Sequence, residues 1–251
     1  MLTLQLLRRW LAQVCDPVRA FKALGGYASF FYDWHRYSKL AGAEPIYLAE
    51  TYPQVHDRTN KTSFDAHYLY VNSWAFRRIL VAHPPLHIDV GSQTLFVSLL
   101  SGILPVVFLD YRPLGAKLGG LWCLSGSILA LPFADRSFSS LSCLHVAEHI
   151  GLGRYGDPLN PDGTRKACRE LVRVLAPGGN LYFAVPVGRP KLCFNAHRVH
   201  AAETVCEYFA DLRLIEFSGV NDDGRWLERV DMSELRDSDY ACGMFWFQKQ
   251  K

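Results

Sequence analysis

The sequence predicts an α/β fold: a doubly wound, mostly parallel sheet with a helical N-terminal extension. Three observations carry this. Short apolar runs recur from residue 86 onwards, helix-length segments separate them, and several runs end in Asp, Gly or Ser where a strand hands over to a loop. Apolar runs that do not alternate imply strands covered on both faces.

The elements follow in order. "LHIDVGS" (86–92) is a first strand closing on Asp89 and Gly91, and "TLFVSLLSG" (94–102) is a helix stopped by Gly102. "PVVFLDY" (105–111) is a β-branched strand ending at Asp110. "LWCLSGS" (121–127) and "SSLSCLHV" (139–146) supply the third and fourth strands. "DGTRKACRELVRVLAPGG" (162–179) is a helix with a Pro-Gly-Gly stop, followed by the strand "NLYFAVPVG" (180–188). "LRLIEFSGV" (212–220) and "CGMFWFQKQ" (242–250) add two more strands. Upstream, "FDAHYLYVNSWAFRRIL" (64–80) carries Tyr68, Val71, Trp74, Ala75 and Ile79 at helical spacing. The first segment puts Leu4, Leu7, Leu11 and Val14 on one helical face, with Arg8, Arg9, Arg19 and Lys22 beside it. That face packs on protein or, in the sharper reading, lies at a membrane interface. The boundaries are an extension or cap over residues 1–85 and a sheet domain over 86–251.

Composition narrows the function classes. The 251 residues are 49% hydrophobic, enough for a sizeable core, and the net charge of +3 offers no strongly basic face for nucleic acid. Seven cysteines include no C-x-x-C pair, which suits a reducing, cytoplasmic setting with free thiols. A peripheral place at the inner face of a membrane depends on the N-terminal helix alone. The longest apolar stretch, 94–109, is cut by Gly102 and Pro105 and is short for a membrane span. Asn60-Lys61-Thr62 matches a glycosylation sequon, but no signal peptide accompanies it.

In a doubly wound sheet, ligands bind beyond the carboxyl ends of the strands. The candidate binding residues are therefore Asp89, Gly91 and Ser92 after the first strand, Asp110 after the second, Ser127 with Ile128 after the third, and His145 after the fourth. A carboxylate at Asp110 suits the two hydroxyls of a ribose. The bland alternative is that Asp110 merely caps a turn.

"IDVGS", "VVFLD", "LPFADRSFSSLSCLHVAEHI" and "ELVRVLAPGGNLYFAVP", in that order, resemble a class I S-adenosylmethionine-dependent methyltransferase over about residues 86–250. The resemblance implies a Rossmann-like methyltransferase fold and S-adenosylmethionine as cofactor. "LDYRPL", "HVAEHIGLGRYGDPLNPDG" and "FNAHRVH" resemble, more narrowly, a bacterial methyltransferase-like family of unassigned function. The sequence departs from the class at one motif. Gln93 and Leu95 stand where further glycines usually follow the first strand, and Ser127 stands where an Asp often reaches the adenine amine. This keeps open a second class, a methyltransferase-fold protein that binds a ligand or partner without catalysis.

"HVAEH" (145–149) also matches H-x-x-E-H, a zinc-peptidase signature. The first His closes a strand and "GLGRYGDP" follows two residues later, so hardly a helix exists to hold the pair. The peptidase reading is set aside. Some O-methyltransferases resembling this segment use it for a divalent metal, which implies His145, Glu148 and His149 as a ligand set, although a metal-free site is the preferred reading. The preferred chemistry is O-methylation of a sugar, polysaccharide or other small hydroxyl acceptor. A histidine of near-neutral pKa suits the general base. The order of candidates is His149, then His145 and His197, with Glu148 orienting one of them. Arg154, Tyr155, Asp157, Asn195 and His200 are the candidate acceptor contacts on the flanking loops.

Overall fold

The computed structural model describes residues 16–251, and the chain divides into two compact units at Ser63/Phe64. In the first unit, helix α1 (Pro17–Tyr37) begins where the Asp16 side chain accepts from the backbone N–H groups of Val18 (2.9 Å) and Arg19 (3.2 Å), with proline in the first turn. Phe30, Phe31 and Trp34 bring their rings together along it. The expected apolar face at Leu4, Leu7, Leu11 and Val14 lies outside the described residues. Among the described residues, no helix is long and apolar enough to cross a membrane.

The second unit is built on an eight-stranded sheet. Its strands are β1 (His87–Val90), β2 (Val106–Asp110), β3 (Leu121–Ser125), β4 (Phe138–Leu144), β5 (Leu175–Val187), β8 (Leu212–Val220), β9 (Trp226–Leu227) and β10 (Ala241–Lys249). Their spatial order is β3-β2-β1-β4-β5-β10-β8-β9. The first five run parallel, and β10 pairs antiparallel with both β5 and β8. A small ribbon of β6 (Lys191–Cys193) and β7 (His197–Val199) follows β5.

Helices cover both faces, as the apolar strands require. Helices α2 (Ala66–Ala82) and α3 (Thr94–Ser101) bury Val71, Trp74, Ile79, Phe96 and Leu100 with Tyr182 and Met244 of the sheet. On the other face, α4 (Gly163–Val174) and α5 (Ala202–Tyr208) bury Ala167, Leu171 and Val205 with Ile88, Phe183 and Phe245. The sequence boundary at 85/86 places α2 in the extension, whereas the compact division falls at 63/64. The reason is the stripe itself: Val71, Trp74, Ala75 and Ile79 are buried, and a helix with such a stripe needs an apolar partner face. Trp74 Nε1 further donates to Glu216 Oε1 of β8 at 2.9 Å, and Arg78 pairs with the same carboxylate.

One local feature differs from the sequence expectation. Helix α4 ends at Val174, and β5 is already extended through the Pro-Gly-Gly segment, with Gly178 in the left-handed region (φ 76°). The "LPFADRSF" segment is braced from α4: Arg173 donates to the carbonyls of Leu131 (2.9 Å) and Phe133 (2.8 Å).

Candidate functional site

Strand order reverses between β1 and β4, and a crevice opens beyond their carboxyl ends. Gly91, Asp110, Ile128 and His145 line it, one from beyond each of the first four strands, with Tyr68, Arg112 and Tyr155 around them. Gly91 has φ 71°, and a Cβ there would sit 3.0 Å from Val146 Cγ1, so only glycine leaves this wall low. Gly126, unmarked in the sequence reading, also lines the crevice, and a Cβ on it would meet Leu109 at 3.1 Å.

The predicted binding residues do not all face this space. Asp89 is fully buried and both its oxygens are engaged: Oδ1 accepts from the Ser92 N–H at 3.0 Å, and Oδ2 accepts from the Ser142 hydroxyl. Burial pushes its carboxyl up to about 6 against those two hydrogen bonds. Asp89 holds the β1 turn instead of presenting oxygens to a ligand. Ser92 borders the crevice while its hydroxyl accepts from the Leu144 N–H at 3.0 Å. Ser127 accepts from the Leu129 N–H at 3.2 Å and braces its own turn. Asp110 is different. Its Oδ1 accepts the Arg112 N–H at 2.7 Å, while Oδ2 lies 3.7 Å from where a Gly91 Cβ would be, directed to the glycine wall.

The end of β4 concentrates the charge. His145 leaves the strand with φ 57°, an unusual left-handed conformation, and is followed by a single 3-10 turn, Ala147–His149, in place of a helix. The turn returns Glu148 to His145, with Nδ1 to Oε1 at 3.1 Å, and places the same oxygen 3.6 Å from His149 Nε2. The other nitrogen of His145, Nε2, points to Cys242 Sγ at 3.2 Å. The ring nitrogens of His145 therefore diverge, and the ligand set His145, Glu148 and His149 does not converge on one point as a zinc peptidase requires. Among the described residues the converging group is His67, His145 and Cys242.

The two histidines carry opposite charge preferences. Burial works against a charged His145, but Cys242 and Glu148 outweigh it and pull the ring up to about 10. Both ring nitrogens already have partners, Nδ1 in Glu148 and Nε2 in Cys242, so His145 offers no free nitrogen as a general base. Burial dominates at His149 and lowers it, with Arg154 and His145 adding to the effect against Glu148 and the Ala196 carbonyl. His149 Nδ1 lies 2.5 Å from the Ala196 carbonyl. A carbonyl carries no hydrogen, so Nδ1 donates and Nε2 keeps the lone pair.

The flanking loops separate into two kinds. Tyr155 lines the crevice, with the Arg112 guanidinium 4.3 Å and that of Arg154 5.1 Å from its ring. Arg154 donates to the same Ala196 carbonyl at 3.2 Å, and its Nη1 lies 3.4 Å from His149 Nε2. Asp157, predicted as an acceptor contact, instead holds the loop: its carboxylate accepts from the Gly151 N–H (2.6 Å) and the Tyr155 N–H (3.3 Å). Asn195 ties its loop to the Leu152 carbonyl at 3.4 Å. His200 is buried with its ring edge-on to Tyr208, and burial lowers it to about 4. His197 packs at 4.7 Å on the ring of Tyr240. His67, Cys242 and Tyr240 were invisible to sequence reasoning. They come from 97 residues away (Cys242) and from a helix read only for its stripe.

A protein-family profile described as "Caenorhabditis protein of unknown function, DUF268" matches residues 133–236. The expected bacterial family thus has no counterpart in this match. No curated protein sequence matches the chain. Solved structures do. The N-methyltransferase NodS of Bradyrhizobium japonicum WM9, in complex with S-adenosyl-L-homocysteine, aligns over 79% of this chain and 92% of its own at TM-score 0.53 and 17% identity. The 1,6-didemethyltoxoflavin-N1-methyltransferase of Burkholderia thailandensis aligns over 77% and 94% at TM-score 0.51 and 14% identity. The cyclase SpnF aligns over 77% and 85% at TM-score 0.54 and 13% identity. The second unit's parallel sheet, its antiparallel β10 and these structural matches together give the chain the Rossmann-like fold of the class I methyltransferases.

Proposed function

We propose that the protein is an S-adenosylmethionine-dependent methyltransferase acting on a small hydroxyl acceptor, with sugars and polysaccharides first among the candidates. The observation that carries this is the pairing, in one crevice, of a glycine wall facing Asp110 Oδ2 with a histidine, His149, whose Nδ1 is turned to the Ala196 carbonyl. Fold alone does not fix the chemistry, since a cyclase shares it.

The residues fit the cofactor. Gly91 and Gly126 leave backbone walls that a Cβ would fill, and Asp110 Oδ2 supplies an acceptor for ribose hydroxyls. When bound, the cofactor supplies an electrophilic methyl group on a sulfonium. The chain's own residues do the rest. Tyr155, held between Arg112 and Arg154, forms the polar lip where an acceptor is oriented. His149 Nε2 takes the acceptor's hydroxyl proton. Glu148 Oε1, 3.6 Å away, then faces the imidazolium that forms and stabilises it. Gln93 and Leu95, in place of the usual glycines, leave Gly91 as the glycine of close approach in this turn.

The test is calorimetric titration of the purified protein with S-adenosylmethionine and S-adenosyl-L-homocysteine. Asp110→Ala is expected to lower affinity at least about tenfold, because a hydrogen bond to a charged group contributes about 1.5–3 kcal/mol. Unchanged affinity in the folded variant overturns the ribose assignment. Cofactor binding without turnover across a panel of hydroxyl acceptors moves the reading to a ligand-binding protein of the same fold.

A further inference from the structure

We propose that His67, His145 and Cys242 form a site for one divalent transition-metal ion of the zinc class. The proposal does not rest on the methyl-transfer reading, and it differs from the His145, Glu148 and His149 set suggested by the sequence.

Three separately anchored elements deliver the ligands. His67 sits in the first turn of α2, which is fixed by Asp65 accepting from the Tyr68 N–H at 3.2 Å. His145 ends β4, and Cys242 opens β10. Because β10 runs antiparallel to β5, its beginning lies at the same edge of the sheet as the end of β4. One ligand atom from each of the three residues lies within 4.8 Å of the others, and Cys242 Sγ is 3.2 Å from His145 Nε2. Zinc–sulfur and zinc–nitrogen bonds of about 2.3 and 2.0–2.1 Å in a tetrahedron separate S from N by about 3.5 Å. The observed spacing needs only side-chain adjustment to reach that. The His67 ring lies nearly parallel to the His145 ring (5.6 Å, 11°) and to Tyr240 (5.1 Å, 19°), so coordination requires it to turn out of this stack towards the other two ligand atoms.

The surroundings have the character of a metal centre. A histidine ligand usually donates its second N–H to a carboxylate, which fixes its orientation. His145 does so: Nδ1 donates to the buried Glu148 at 3.1 Å, which turns Nε2 to Cys242. A thiolate and two imidazoles are the donor set of a borderline-soft ion, not of magnesium or calcium. Three protein ligands leave the fourth tetrahedral position for a water or an ionisable acceptor group, and His145 lines the crevice described above. A zinc ion held by the three residues would bring a water in that fourth position to a pKa of about 7.

The full chain, stripped with chelator and titrated with Co2+ as the probe, tests this. One equivalent of Co2+ is expected, with a thiolate-to-cobalt charge-transfer band that Zn2+ abolishes. Cys242→Ser is expected to remove the band, and the partly exposed His67→Ala to weaken binding at least about tenfold, as loss of one of three ligands implies. Glu148→Gln should keep the band and weaken affinity about 10–100-fold, the usual effect of removing an outer partner. Absence of stoichiometric Co2+ binding overturns the site. So does a band that survives Cys242→Ser, or an affinity untouched by His67→Ala in the folded variant. The readout needs no cofactor or acceptor, so its failure leaves the methyl-transfer reading to its own test.

Discussion

His87 and His145 are buried histidines at opposite ends of two adjacent strands, and they meet different kinds of partner. His87, at the start of β1, is fully enclosed. Its Nδ1 and Nε2 meet the hydroxyls of Ser140 and Ser142, each at 2.8 Å. Complete burial pushes it down to about 3, which favours the uncharged ring. His145, past the end of β4, meets a carboxylate and a thiol and lines the crevice. Burial alone thus says little about a histidine's role. The partners decide it, and the strand end decides the partners.

The largest effect that tests this contrast belongs to His149, the proposed base at the carboxyl edge of the sheet. His149→Ala is expected to lower methyl-transfer turnover about 10²–10⁴-fold, the usual worth of a general base, while cofactor affinity is nearly unchanged. His149→Gln should behave alike, since an amide cannot take the proton. Wild-type turnover should rise with pH and flatten once the ring is neutral. Its environment of Glu148, Arg154, His145, His197 and Tyr155, with burial dominant, sets that rise below the ordinary histidine value. If His197→Ala abolishes turnover and His149→Ala does not, the base lies on the β6–β7 ribbon.

The next effect is on stability and belongs to His87. Unfolded, its ring takes a proton near pH 6.5; folded, it resists until about 3. Stability is therefore lost as pH falls across that interval, by on the order of 5 kcal/mol in full. Asp89 acts in the opposite sense. Its carboxyl is raised to about 6, so acidification from 6 to 3.8 favours the folded state. Denaturant unfolding of wild type and His87→Gln as a function of pH separates the two. The wild-type advantage at neutral pH should shrink as pH falls below 6.5. A constant difference would mean that His87 is not held neutral.

The smallest effect sharpens the comparison most. Ser140→Ala leaves one buried ring nitrogen of His87 unpaired and should cost about 1–3 kcal/mol, with turnover per folded molecule unchanged. A loss of turnover in the folded variant at saturating cofactor would break the contrast between His87 and the proposed site at the other end of the sheet.

The strands, the helices on both faces and the crevice-forming residues Gly91 and Asp110 were legible from apolar runs and the residues that end them. The same holds for the H-x-x-E-H segment as a strand exit. Those signals are local: a strand's end, a glycine's freedom and a stripe's period are properties of a few neighbouring residues. The fate of individual side chains was not legible. Asp89 and Asp110 look alike as strand-closing acids. Only the packed β1–β4 interface shows that Ser92 and Ser142 consume the first, while the second keeps an oxygen towards Gly91. The helix 66–82 was readable as amphipathic, but its allegiance to the sheet required the apolar face it covers. Local pattern in this chain determined which segments are strands and helices and where a ligand crevice would open. Tertiary structure alone decided which His, Asp and Cys meet, because His67, His145 and Cys242 converge through the antiparallel insertion of β10, and a pairing across 97 residues leaves no mark on the local sequence.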